Sequence, residues 1–176
     1  MKKLAFGFLF LGLTTLMYSQ GKSEVQNIVL ETVTIKPLNI SYLRKVQDKD
    51  TPSLVKNLEG EAARYDITES PMFEKEFEAY EVVFKTKKKN GTSGIITATY
   101  DSKGKIIKSI EKYKNILLPK TVRNVILRKY PGWTIYKDVY LVSYKTDKTA
   151  KRIFRVQIRK EGKRKNLKLD YEGNIS

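Results

Sequence analysis

The chain has 176 residues, with 35 Lys and Arg against 19 Asp and Glu, a formal charge of +16 at neutral pH, and neither His nor Cys. Those two absences remove the usual general base, the thiol nucleophile and the commonest transition-metal ligands together, which excludes Ser-His-Asp hydrolases, zinc peptidases and thiol enzymes. The positive excess favours contact with anionic surfaces and acidic partners and carries no information about fold.

The first stretch, MKKLAFGFLFLGLTTLMYSQ, pairs two lysines with an apolar run and a small polar exit, the layout of a signal peptide over residues 1–20 that is cleaved near Ser19 or Gln20. The run is too short to span a bilayer, and Gly7 and Gly12 weaken the competing reading of a retained anchor. The expected destination is the periplasm or the extracellular medium. Without Cys, the exported chain has no disulfide to rely on, so its stability must come from burial and hydrogen bonding.

Residues 21–50 read as an N-terminal strand and a connector: Ile28, Leu30, Val33 and Ile35 alternate imperfectly up to Pro37, and residues 45–51 are charged and patternless, a surface loop. A domain spanning 51–176 follows. Thr51 is placed to cap a helix and Pro52 sits in its first turn, with Leu54, Leu58, Ala62 and Tyr65 on one face. Glu59, Glu61, Glu74, Glu76 and Glu78 are spaced like surface decoration, and no carboxylate pair for glycoside chemistry can be picked out. Tyr80, Val82 and Phe84 share one side of a strand over 77–85, which the turn KTKKKNGTSG joins to a second strand over 95–100 as a hairpin. Asp101-Ser102-Lys103-Gly104 matches a type I turn ending in a left-handed residue and leads into a strand beginning at 105–108.

The stretch LPKTVRNVILRKYPGW predicts a second helix, opened by Pro119 and stopped before Pro131. At about 100° per residue Leu118, Val122, Val125, Ile126 and Tyr130 share an arc, with Lys120, Asn124 and Arg128 opposite. Lys120, Arg123, Arg128 and Lys129 could make it a recognition helix, but the apolar arc is of the kind that covers a sheet, so it reads as a packing strut with a solvated back. From Trp133 the chain turns β-like. A strand around 139–144 is followed by a Lys-Thr-Asp-Lys-Thr turn, then by a strand in which Phe154, Val156 and Ile158 alternate with Arg155, Gln157 and Arg159. A Glu161-Gly162 turn leads to Leu167 and Leu169, and Asp170-Tyr171-Glu172-Gly173 closes the pattern.

At an offset of 68 to 69 residues, Asp101 and Gly104 fall on Asp170 and Gly173, Leu54 on Val122, and Leu58 on Ile126, so two tandem helix-plus-strands repeats are expected, 51–112 and 113–176. The helix opened by Leu118-Pro119, the corner Tyr130-Pro131-Gly132-Trp133, the strand Phe154-Arg155-Val156 and the closing Leu167-Lys168-Leu169-Asp170 with Gly173 resemble the secreted PepSY-like family, also described as β-lactamase-inhibitor-like. That resemblance implies an exported α+β domain, helices packed on one face of an antiparallel β-sheet, with a non-catalytic role in binding or inhibiting another protein. The chain departs from the disulfide-containing inhibitor prototypes in having no Cys and in its strong positive charge.

The expected binding surface is the basic C-terminal hairpin: Lys151, Arg155, Gln157, Arg159, Lys163, Arg164, Lys165 and Lys168, with Tyr140 and Tyr144 on the preceding strand. Edge strands also use lysine to discourage aggregation, and tyrosines also build cores, so each residue has a plain structural use beside the functional one. The reading is a non-enzymatic domain with no cofactor and no metal that contacts or inhibits a protein partner in the cell envelope. The alternative is an electrostatic binder of an anionic polymer or membrane surface; nucleic acid is not expected as a partner in that compartment.

Overall fold

The computed structural model describes residues 39–87 and 89–176. The expected signal peptide over 1–20 and the expected strand within 21–50 fall on or begin in residues outside this range. Three helices, α1 (Ile40–Val46), α2 (Ser53–Arg64) and α3 (Lys120–Lys129), accompany six strands. The strands are β1 (Ala79–Lys85), β2 (Ser93–Asp101), β3 (Ile106–Lys114), β4 (Thr134–Lys145), β5 (Lys151–Lys160) and β6 (Lys163–Asp170).

Proline opens both longer helices. Pro52 and Pro119 are the N-cap residues, with φ of −57° and −51°, and their carbonyls accept the first helical bonds from Lys56 and Arg123. A fixed φ near these values pre-organises the entry to a helix and costs no donor there. Thr51 does not cap α2 as expected; its hydroxyl accepts the Asp48 amide at 2.9 Å and fixes the approach loop instead. At the other end of α3, Tyr130 leaves the helical region at φ −129° and Gly132 takes φ +76°, so the chain reverses before Trp133.

The strands form one sheet in the order β1-β2-β3-β4-β5-β6, every neighbouring pair antiparallel. The chain therefore builds an α+β architecture. Tight turns account for the simple order. Asn90-Gly91 and Glu161-Gly162 both have two consecutive positive φ values, the twist that suits a two-residue hairpin loop. α3 lies in the connection between the central strands β3 and β4.

The period of two divides the sheet into faces. Ile96, Ala98 and Tyr100 of β2, Tyr113 of β3, Tyr140, Val142 and Tyr144 of β4, Phe154, Val156 and Ile158 of β5, and Leu167 and Leu169 of β6 point to one side and are buried. They form a single core with Tyr42 and Val46 of α1, Val55, Leu58, Ala62 and Ala63 of α2, and Val122 and Ile126 of α3. The apolar arc read in LPKTVRNVILRKYPGW is therefore the packed side of α3. The α2 face differs from the expected one: Val55, Leu58, Glu59, Ala62 and Ala63 are buried, while Leu54 is half-buried and Tyr65 lies beyond the helix.

Residues 40–46, expected to be part of a polar connector, form α1, and the domain begins N-terminal to residue 51. Tyr42 explains the helix's place: its ring meets Tyr144 edge-on at 5.2 Å and its hydroxyl donates to Glu111 at 2.8 Å. Asn39 ties the same segment down, donating to the Gly104 carbonyl at 3.1 Å and accepting from the Ile106 amide at 2.7 Å. Residues 45–51 are also more than a loop on the surface. Asp48 accepts from Tyr171 at 2.6 Å and pairs with Arg152 at 2.7 Å. Partial burial works against its ionised form, yet those two bonds outweigh it and hold the carboxyl below its ordinary pKa.

Candidate functional site

All three helices contribute to the core on one side of the sheet, so among the described residues no helix covers the other side. Cross-strand register defines what that open face carries. One row runs Val83–Thr97–Ile110–Ser143–Lys151, and the next runs Lys85–Ile95–Lys112–Leu141–Ile153. Ile110 and Val83 are 54% and 46% exposed, and Ile95, Leu141 and Ile153 beside them are half-buried. An aliphatic band thus lies in the middle of the sheet with lysines at its margins. On one side of it Lys108 faces Lys145 across the β3–β4 pair; on the other, Lys114, Val139, Arg155 and Lys168 form a continuous row. Directly paired like charges oppose folding, and their retention on a face with free solvent leaves a strong positive field there. Among the described residues the one ion pair is Arg152–Asp48, and Arg152 lies on the covered side of the sheet beside Tyr171.

The C-terminal hairpin divides between the two faces. Lys151, Arg155, Gln157 and Arg159 of β5 and Arg164 and Lys168 of β6 share the open face, as the two-residue period requires. Lys163 and Lys165 have the opposite parity; the Lys165 ammonium sits 5.0 Å from the ring of Tyr130, at the end of α3. Tyr140 and Tyr144 are not part of a surface: they are 0% and 3% exposed, and Tyr140 stacks on Phe154 at 4.4 Å between centroids. Tyr136, four residues before Tyr140 on the same strand, is exposed because the β4–β5 register slips between Ile135 and Lys137. The Arg159 guanidinium lies 3.1 Å from its ring centroid.

Lys137, Gln157 and Asn166 form a further row across β4, β5 and β6, beside the row that holds Arg155 and Lys168. Together these five side chains line a depression of about 380 Å³. Gln157 donates to Asn166 at 3.0 Å. Lys137 and Asn166 belong to the site although the sequence reading did not select them; their cross-strand register with Gln157 is what places them there.

The largest departure from expectation is at Glu59. Instead of decorating the surface, it is fully buried on α2, and neither carboxyl oxygen has a hydrogen-bond partner. Nearby Glu111 of β3 is also buried and accepts three hydroxyl bonds, from Tyr42 at 2.8 Å, Ser109 at 2.7 Å and Tyr113 at 2.7 Å. Burial, followed by the Glu111 charge, pushes the Glu59 pKa up to about 10, so Glu59 is a neutral acid at physiological pH. Burial and the same two carboxyls raise the Tyr42 and Tyr113 hydroxyls well above their ordinary range. A neutral acid beside a hydrogen-bonded one resembles an acid–base pair, but both carboxyls are buried and neither lines the depressions formed around the sheet and α2. Among the described residues no group of three or more acids converges to hold a metal ion, and no helix is long and apolar enough to cross a membrane.

Comparison with known proteins gives no further constraint: no family model and no curated protein matches the chain.

Proposed function

We propose that this chain is an exported, non-enzymatic binding domain of the PepSY-like kind that contacts a protein partner in the cell envelope through the open face of its sheet. The observation that carries the reading is the exposed aliphatic band, which no described helix covers, with Ile110 and Val83 exposed across Thr97 and lysines on either side. A face with an apolar centre and a polar, charged rim has the anatomy of a protein interface, and the positive rim selects an acidic counterpart. The PepSY-like reading is supported by two matching turns. In both, the glycine amide bonds back to the aspartate carbonyl, Gly104 to Asp101 at 3.0 Å and Gly173 to Asp170 at 3.2 Å, and the aspartate carboxylate accepts the amide four residues on. The first turn follows α2 and two strands and the second follows α3 and three strands, so the two halves share the order helix, strands, turn.

The test is a pull-down from envelope extract with tagged full-length protein and the double variant Val83→Asp, Ile110→Asp. The wild type is expected to recover one stoichiometric protein that the variant loses while keeping its circular dichroism spectrum. Recovery by neither, or by both equally, contradicts the reading.

A second reading, an electrostatic binder of an anionic polymer or membrane surface, is favoured by a separate observation. Six of the hairpin residues singled out from the sequence, Lys151, Arg155, Gln157, Arg159, Arg164 and Lys168, share the open face. Binding of this kind weakens steeply with salt, and charge reversal at Arg155 and Arg159 removes it.

A further inference from the structure

From the depression over β4, β5 and β6 we infer a subsite for an acidic polysaccharide, a glycan whose sugar rings carry carboxylate or sulfate groups. The inference rests on the second reading above and narrows it to one ligand class.

Three rows of side chains make up the subsite. Arg155 and Lys168 are direct cross-strand partners in the first and Gln157 and Asn166 in the second beside Lys137, and these line the depression; Arg159 and Arg164, the third, continue the same face beyond it, with Arg159 stacked on Tyr136. Alternate residues on a strand are about 6.7 Å apart and neighbouring strands about 4.8 Å, so two cation pairs stand roughly 13 Å apart with two amides between them. A uniform polyanion has no use for the amide row. A glycan does: its acidic groups meet the guanidinium and ammonium groups while its hydroxyls, both donors and acceptors, meet the amides. Gln157 Nε2 donates to Asn166, which orders the two amides side by side in the middle row.

Charge complementarity points the same way. The Asp138 side chain on the lining is turned to the covered side, where it accepts the Ile116 amide at 3.2 Å, and burial pushes its pKa up to about 6. A membrane surface fits less well. The site is recessed, and the exposed aliphatic residues that could enter a bilayer, Val83 and Ile110, stand on β1 and β3 rather than beside it. An acidic protein would use that aliphatic band, whereas the depression sets cations and amides around a lining to which Val139, Val156 and Leu167 contribute, a mixture that suits the polar edges and apolar faces of sugar rings.

The experiment is calorimetric titration of the full chain with oligogalacturonate, dextran sulfate, neutral dextran, polyphosphate and phosphatidylglycerol vesicles. Saturable binding is expected for the two acidic glycans and not for neutral dextran. Arg155→Ala and Lys168→Ala should each weaken glycan binding about tenfold. Gln157→Ala and Asn166→Ala should weaken it about threefold while leaving any polyphosphate binding unchanged. Lys103→Ala, on the distant Asp101–Gly104 turn, should change nothing. Failure of both acidic glycans to bind overturns the inference, as does equal loss of glycan and polyphosphate in the amide variants, or binding to vesicles alone. The protein-partner reading is judged separately, by the Val83 and Ile110 variant, so the two can fail independently.

Discussion

On its covered face the sheet presents Tyr100, Tyr113, Tyr140 and Phe154, all fully buried against the helices; on its open face the same strands present Ile95, Ile110, Leu141 and Ile153 to solvent or half-expose them. Both faces contain aliphatic side chains, so hydrophobicity alone does not separate them. What separates them is the presence of helix-borne apolar arcs on one side. The covered side therefore bears the stability of the fold, and the open side is free to vary without unfolding it.

Substitutions should register that difference in order of size. Ile126→Ala, at a fully buried position on α3, should cost about 2–5 kcal/mol in denaturant unfolding, because a cavity remains where the side chain was. A loss below about 1 kcal/mol would mean that α3 is not packed on the core.

Glu59 offers the next largest effect and a distinctive pH signature. Its pKa rises from 4.5 in the unfolded chain to about 10 in the fold, so between those values the unfolded chain releases a proton that the folded chain keeps. Stability is accordingly greatest below the lower value and declines as pH rises through the window. Glu59→Gln removes the ionisation and should flatten this decline; a wild-type unfolding free energy that rises over the same range would contradict the buried neutral acid.

The two aspartate–glycine turns should differ despite their similar bonding. Gly173 has φ +91° and a Cβ there would lie 3.0 Å from Val125, whereas at Gly104, with φ +74°, the nearest atom would be 3.7 Å away. Both alanine variants are strained by about 1 kcal/mol, and Gly173→Ala should lose more because it also pushes on α3. Equal midpoints in urea would show that α3 yields freely. Smallest of all, Ile110→Ala should change stability by no more than about 0.5 kcal/mol.

Where one chemical period dominates, the residues could be read from sequence. α3 lies between its two prolines with Val122 and Ile126 inward, and β5 alternates with Arg155, Gln157 and Arg159 on one side. α1 was illegible because ISYLRKV is seven residues long, has no side-chain cap, and is held by Tyr42 reaching across to Glu111 and Tyr144. On α2 the buried stripe Val55, Leu58, Glu59, Ala62, Ala63 follows helical spacing, but a glutamate stands in it, so the all-apolar set starting at Leu54 drew the face one step round. β3 was legible only at its start for the same reason, since Glu111 and Ser109 occupy its inward positions. The hairpin's basic character was plain, whereas its division between two faces, and the entry of Lys137 and Asn166, depend on cross-strand register.

The claim on which the account rests is that the open face binds and the covered face folds. Ile110→Asp, measured in parallel for thermal midpoint and for partner recovery from envelope extract, tests it most directly. The account predicts a midpoint within about 2 °C of wild type together with loss of the partner. Intact recovery, or a fall in the midpoint comparable to that of Ile126→Ala, would contradict it.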